Sequence, residues 1–238
     1  MFGKLIVGGM DIGSNLDLGQ RIKNAIIDSD YILVESLQNF TDKCNSINIV
    51  SNAILIEYNN QIDNKNKVTN DVIDYLKDNK TILIISDDGM PGICDPGLEI
   101  VRLAFMNNID VTVIPGPSII SALPSISGLN TNTFIFQQEL SIDKTVRIYE
   151  LQNAKNSKRS FMFIIPNRIN HNRFIHEIFE DIIDVYGNKI RIAVGIDLTM
   201  DTELIKMDHA QNIQKWLKEI TILDHTNISV FIENATNQ

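Results

Sequence analysis

The sequence predicts an α/β fold whose first half is built on a parallel or mostly parallel sheet. Three observations carry this. Short apolar runs alternate with segments of helical spacing along the first 120 residues, the rhythm of strand–helix units. Three of those runs end in loops rich in Gly or Pro, at 8–15, 86–97 and 115–118. A break at Pro115-Gly116-Pro117 separates this half from a second in which the rhythm is looser.

Taken in order, residues 4–9 (KLIVGG) are expected to form a buried strand ending in glycines. A helix follows, with Leu18, Ile22, Ala25 and Ile26 at helical spacing. Strands are expected at 31–36 and 52–58. Thr69 is read as the N-cap of a helix through TNDVIDYLKDNK. TILII at 81–85 is a central strand. It leads into SDDGMPGICDPG, and a helix spans 98–108. A strand at 111–114 stops at PGPS, and a small-residue helix runs to about Leu123. Beyond Gly128, strands are expected in TFIFQ, SFMFIIP, IRIAVGID and NISVFIE. Helices are expected in RFIHEIFEDIIDVYG and AQNIQKWLKEI.

Composition is that of a globular chain: 238 residues, 44% hydrophobic and 21% charged. No apolar run reaches bilayer length, and the N-terminus shows no signal-peptide pattern. Cys44 and Cys94 have neither metal nor disulfide-framework spacing, so no metal is expected and a reducing cytoplasm is the default. The net charge of −9 argues against strong non-specific attraction to nucleic acid. Yet residues 144–191 hold nine of the 21 basic residues against five acidic ones. That excess is either a solvated helix face or a local footprint for a phosphate-bearing partner.

In open α/β sheets, ligands bind beyond the carboxyl ends of the strands, where the three Gly/Pro loops are expected. Glycine lets a ligand approach the main chain, and proline lowers the ordering cost of binding. The first loop has the glycine spacing of a P-loop at Gly8 and Gly13 but lacks its Lys. It is not a GxGxxG turn either. Asp11, Asp87, Asp88 and Asp95 would repel a polyphosphate, and they lack an EF-hand spacing. A cationic or zwitterionic ligand suits the charge; a sulfonium carrying an amino group and an adenosine is one such molecule.

The loop at 86–97 resembles the hallmark S-D-A-G-x-P-x-I-S-D-P-G of the ribosomal small-subunit RNA methyltransferase I branch of the tetrapyrrole methylase family. It matches at Ser86, Asp87, Gly89, Pro91, Ile93, Asp95, Pro96 and Gly97. PGPSIISAL with SGL is similar to the family's P-G-P-S/C-A…A-L…S-G-L at Pro115, Gly116, Pro117, Ser118, Ala122, Leu123, Ser127, Gly128 and Leu129. The opening is similar at Leu5, Ile12, Gly13, Asp17 and Leu18. The chain departs from the pattern at Met10-Asp11 (Thr-Pro in the family), Ser36-Leu37-Gln38 (D-T-R), Ile164-Ile165-Pro166-Asn167 (F-Y-E-S) and Asp197-Leu198-Thr199-Met200 (E-L-T-K).

The resemblance implies two α/β domains, 1–116 and 117–238, with a mostly parallel first sheet, a mixed second sheet and a cofactor cleft between them. It implies an S-adenosylmethionine-dependent methyltransferase and a homodimer. Carried over by position, the cofactor contacts are Ile12, Asp87, Gly89, Met90, Ile93, Ser118, Ile119, Ile165 and Leu198. Asp87 and Asp95 are expected to brace their loop by accepting backbone N–H bonds. Glu35, at a strand end, is the candidate general base for a ribose 2′-OH; Asp88 is a second, and a structural cap is the bland alternative for Glu35. His171 and His176 are read as part of a solvated helix. RNA is the family's default acceptor, with Lys155, Lys158, Arg159, Arg168 and Arg173 facing phosphates. A small-molecule or protein substrate, or a non-catalytic cofactor-binding relative, stays open on the net charge and the departed residues.

Overall fold

The structure is a computed structural model that describes residues 2–59, 61, 65–165, 171–223 and 226–234. The chain divides into two units, Met1–Ser118 and Ile119–Gln238, each with its own sheet and core.

In the first unit, β1 (Lys4–Gly8), β2 (Tyr31–Val34), β3 (Ile54–Glu57), β4 (Thr81–Ile84) and β5 (Asp110–Ile114) form one sheet in the order β3-β2-β4-β1-β5. Every pairing in it is parallel. The central strands are apolar on both faces, as a sheet covered on both sides requires. Ile32 and Val34 face one way and join Met10, Leu18, Ile22, Ile26 and Phe40. Leu33 faces the other way and joins Leu5, Val72, Leu76, Ile82, Ile84 and Ile100. The first cluster is closed by α1 (Gln20–Asp28) and α2 (Leu37–Ser46), and the second by α3 (Lys65–Lys77) and α4 (Leu98–Met106). Each fully buried Leu or Ile side chain contributes about 1.5–3 kcal/mol. Because all five strands run the same way, their carboxyl ends, and the loops that leave them, share one edge.

Two local expectations are corrected here. Thr69 is not an N-cap: α3 already includes Lys65, and Thr69 lies buried in its second turn, donating to the Lys65 carbonyl at 2.8 Å and meeting the Tyr58 hydroxyl at 3.0 Å. A helix that the spacing did not announce, α2, follows β2. Ser36 caps it, its hydroxyl accepting from the Asn39 N–H at 3.3 Å.

The second unit holds α5 (Ile119–Ile126), β6 (Phe134–Glu139), α6 (Lys144–Asn156), β7 (Ser160–Ile165), α7 (His171–Tyr186), β8 (Arg191–Ile196), β9 (Leu204–His209), α8 (Ala210–Glu219) and β10 (Ile228–Ile232). Its sheet has the order β6-β7-β10-β8-β9. Only β6 and β7 are parallel, so the sheet is mixed. Phe161, Phe163, Ile165, Val194 and Val230 point to the face covered by α6, α7 and α8. Met162, Ala193 and Phe231 point to the other face, toward Leu123 of α5. The helix α5 runs on past Leu123 to Ile126 and carries Pro124 inside it; an interior proline gives up one backbone hydrogen bond, and its ring crowds the carbonyl one turn earlier. Among the described residues, no helix is long and apolar enough to cross a membrane.

Candidate functional site

Three loops of the first unit meet at the carboxyl edge of its sheet. The Gly9 N–H donates to the Ile114 carbonyl at 3.0 Å, fastening the loop after β1 to the end of β5. The Met10 N–H donates to the Gly89 carbonyl at 2.7 Å, and the Gly89 N–H returns to the Asp11 carbonyl at 2.9 Å. A methyl group added to Gly9 would lie 2.5 Å from the Met90 Sδ and 2.7 Å from the Gly116 Cα. One added to Gly116 would lie 2.8 Å from the Gly9 main chain. The two glycines are thus apposed, backbone on backbone. Gly89 has φ +71° and sits between the loops, with Ile12 Cγ2 and Pro117 O at 3.6 and 3.7 Å from where its Cβ would be. Ile12, Gly89 and Met90 are therefore brought together beside the 115–118 loop that leads to Ser118. Ile93 is 48% exposed on the outer part of the 86–97 loop.

A hub that sequence reasoning missed holds this arrangement from behind. Lys43, on α2, places its Nζ 3.1 Å from Asp11 Oδ1 and 3.0 Å from Asp11 Oδ2. The same ammonium donates to the Asp87 carbonyl at 2.9 Å and lies 3.6 Å from Asp88 Oδ1. The Asp11 carboxylate is also accepted into its own loop, taking the Gly13 N–H at 3.2 Å. Asn39, one turn before Lys43, donates to Asp87 Oδ2 at 2.5 Å. The donor placed on the Asp87 carboxylate is the Asn39 side chain, where a backbone N–H was expected, while the Ser86 hydroxyl donates within the loop to the Asp88 carbonyl at 3.1 Å. Serine capping at Ser36 was the one available sequence signal for the helix that supplies Lys43 and Asn39.

The carboxylates around the 86–97 loop are crowded. Glu35 is half-buried just past β2. Asn59 fixes its carbonyl with a 3.1 Å hydrogen bond, and the Asp87 N–H donates to its carboxylate. Burial pushes the Glu35 pKa up, and the charges of Asp87 and Asp88 add to the rise. Asp95 is pushed up to about 6, by burial first and then by Glu35. Asp88 is also raised, by the protein around it before any neighbouring charge. With 68% of its side chain still facing solvent, water discounts that effect. Beside Asp95, a hollow of about 300 Å³ opens among Tyr58, Gly97, Leu98, Glu99 and Arg102.

The second unit's expected residues fall into separate settings. Ile119 opens α5 and is partly buried. Ile165 ends β7 with its side chain in the core, and the whole residue is buried. Leu198 is buried on the α5 side and packs over Gly195. Its loop is braced: Asp197 accepts from the Asn227 N–H at 2.8 Å and the Thr202 hydroxyl at 3.0 Å, and Glu203 accepts from the Thr199 N–H at 2.7 Å.

The described basic residues fall in two groups, toward opposite ends of α7. Lys155 donates to the Val185 carbonyl at 2.6 Å, near the end of α7, and Lys158 and Arg159 precede the start of β7. Arg173 lies in the first turn of α7, paired with Glu177 at 2.8 Å. A helix of sixteen residues separates its ends by about 24 Å. Arg168 and the side chain of His171 lie outside the described residues. His176 is partly buried, with a buried Nδ1 that finds no hydrogen-bond partner, and so is not on a solvated face. Among the described residues, no group of three or more His, Cys, Asp and Glu side chains is set to hold a metal.

This architecture is that of known methyltransferases. Diphthine synthase superposes with a TM-score of 0.69 at 15% identity, over 97% of this chain and 89% of that one. The methyltransferase CobJ superposes with a TM-score of 0.70 at 13% identity, over 99% and 96%. Residues 6–214 match the family Tetrapyrrole (Corrin/Porphyrin) Methylases. The ribosomal RNA small subunit methyltransferase I of Thermotoga maritima is 30% identical over 188 residues, 79% of this chain and 80% of that protein. Its counterpart from Buchnera aphidicola subsp. Baizongia pistaciae is 27% identical over 236 residues, 99% of this chain and 78% of that protein. The chain belongs to the tetrapyrrole methylase family, and it is an S-adenosylmethionine-dependent methyltransferase.

Proposed function

We propose that the chain methylates RNA, with small-subunit ribosomal RNA as substrate and a ribose 2′-OH as acceptor, and that S-adenosylmethionine is held by the loops after β1, β4 and β5. The apposition of Gly9 and Gly116 against Met90 carries the second part of this reading. It leaves a wall of main-chain groups and apolar side chains at Ile12, Gly89 and Met90. The surrounding carboxylates of Glu35, Asp87, Asp88 and Asp95 suit a donor whose amino group and sulfonium are positive. Ser118, Ile119 and Ile93 complete the proposed contact set, along with Ile165 and Leu198. The relatives named as ribosomal RNA small subunit methyltransferase I support the acceptor. The resemblance supports a homodimer working in the cytoplasm.

The bound donor supplies a methyl group already activated by its sulfonium. What the chain supplies is alignment, which can account for about 7–11 kcal/mol of a barrier. Glu35 is the proposed general base: its carboxylate is raised in basicity by burial and positioned by the Asp87 N–H.

The test is tritiated methyl transfer onto purified small-subunit ribosomal RNA and onto assembled subunits, followed by nuclease digestion. Label is expected in a 2′-O-methylnucleoside. Label only in a protein or small-molecule fraction replaces the acceptor. Glu35→Gln is expected to lower kcat about 10²–10⁴-fold with S-adenosylhomocysteine affinity unchanged; an unaltered kcat removes Glu35 from the reaction.

A further inference from the structure

We propose that Lys43 is a positioning residue for the methyl-donor site, acting as a strap that holds the loop after β1 against the loop after β4. The proposal rests on the donor lying at those loops. Lys43 lies outside the motifs that carry the resemblance; its geometry marks it.

Four contacts carry the argument. Both oxygens of Asp11 lie within 3.1 Å of the Lys43 ammonium, and the Asp87 carbonyl and Asp88 carboxylate complete its surroundings. Asp11 comes from one loop, and Asp87 and Asp88 come from the other. Lys43 itself is anchored on α2, outside both. The Asp11 side chain is 2% exposed and that of Lys43 17%, so this ion pair is little screened by solvent. Directly in front of it lies the two-bond exchange between Met10–Asp11 and Gly89 that sets the spacing of the proposed donor wall. Where the resembled pattern carries a proline, which would stiffen this loop through its own ring, the chain carries Asp11. The ion pair restores by tertiary contact the rigidity that the replaced ring would have given. A wall held rigid before binding lowers the ordering cost of binding, so the effect belongs to donor affinity rather than to the chemical step.

The experiment is titration of S-adenosylhomocysteine into the wild-type chain, Lys43→Met, Lys43→Arg and the double variant Asp11→Asn/Lys43→Met, with thermal melts on each. The double variant matters because it removes the strap without leaving a lone buried carboxylate, so it is the variant expected to fold even where Lys43→Met does not. Both Met variants are expected to bind about tenfold or more weakly, with KM for the donor raised in step and kcat at saturating donor within about threefold. Lys43→Arg, which keeps the charge, is expected to bind closer to wild type. Wild-type affinity in the folded double variant, or a loss confined to kcat, overturns the proposal. Absence of binding by the wild-type chain itself instead overturns the placement of the donor, and the strap's role falls with it.

Discussion

At the residue scale, the site is made by what is missing at Gly9 and Gly116. Each is the only residue type that lets two loops approach to backbone contact there. Gly9→Ala drives a methyl into Met90 and Gly116, an overpacking that costs about 1–3 kcal/mol and widens the wall. Lost or strongly weakened S-adenosylhomocysteine binding by a still-folded variant is expected in calorimetry; unchanged binding would place the donor elsewhere. Asp95 gives a prediction in pH. Its folded pKa of about 6 lies above the ordinary carboxylate value, so the folded state holds its proton longer than the unfolded chain does. That contribution to stability is complete below about pH 4 and is lost as pH rises through about 6. Thermal melts from pH 4 to 8 are therefore expected to show wild type losing stability relative to Asp95→Asn across that window. Parallel curves would mean that Asp95 is not crowded by Glu35 and burial as described.

At the scale of elements, most strands and helices were legible because their burial is one-sided or complete and leaves a period. The 86–97 loop and the PGPS turn were legible because Gly and Pro mark the chain directly. Three elements were hidden, each for a physical reason. The buried positions of α2 are only Phe40 and Cys44, too few for a period. β9 is an edge strand with Leu204, Ile205 and Met207 all partly exposed, so no clean alternation shows. In α6 a buried Arg147 stands among Leu151 and Ala154, where the pattern calls for an apolar residue. Arg147 meets Asp181 through Nε at 2.7 Å and donates to the Ser141 and Ile142 carbonyls at 3.0 and 2.9 Å. Asp181 also has Lys144 Nζ at 3.1 Å. Arg147→Met leaves Asp181 buried against that one exposed lysine, and unfolding in urea is expected to show a loss of about 3–5 kcal/mol. Arg147→Met/Asp181→Leu should recover most of it; a single variant as stable as wild type would show the pair to be idle. The hidden α2 bears most on the proposed donor site, since it carries Lys43 and Asn39 to the loops after β1 and β4.

At the scale of the whole molecule, the fold and the reaction class were readable from sequence, through the resemblance of the 86–97 loop and the PGPS segment, while the acceptor surface was not. Charge counting along the chain placed one positive segment at 144–191, but β7 and α7 run through that segment and carry its ends apart. Lys155, Lys158 and Arg159 lie toward the end of α7, and Arg173 lies at its beginning. A count along sequence cannot see that separation, because a helix of 16 residues sets its ends about 24 Å apart. The proposed donor site has no such difficulty: parallel strands bring their carboxyl ends to one edge whatever the loop lengths. The central claim is that the loops leaving β1, β4 and β5 hold the methyl donor, and calorimetric titration of S-adenosylhomocysteine into the intact chain tests it most directly. Saturable binding is expected, abolished or strongly weakened by Gly9→Ala. No heat at any of several temperatures, or equal binding by wild type and a folded Gly9→Ala, would contradict it.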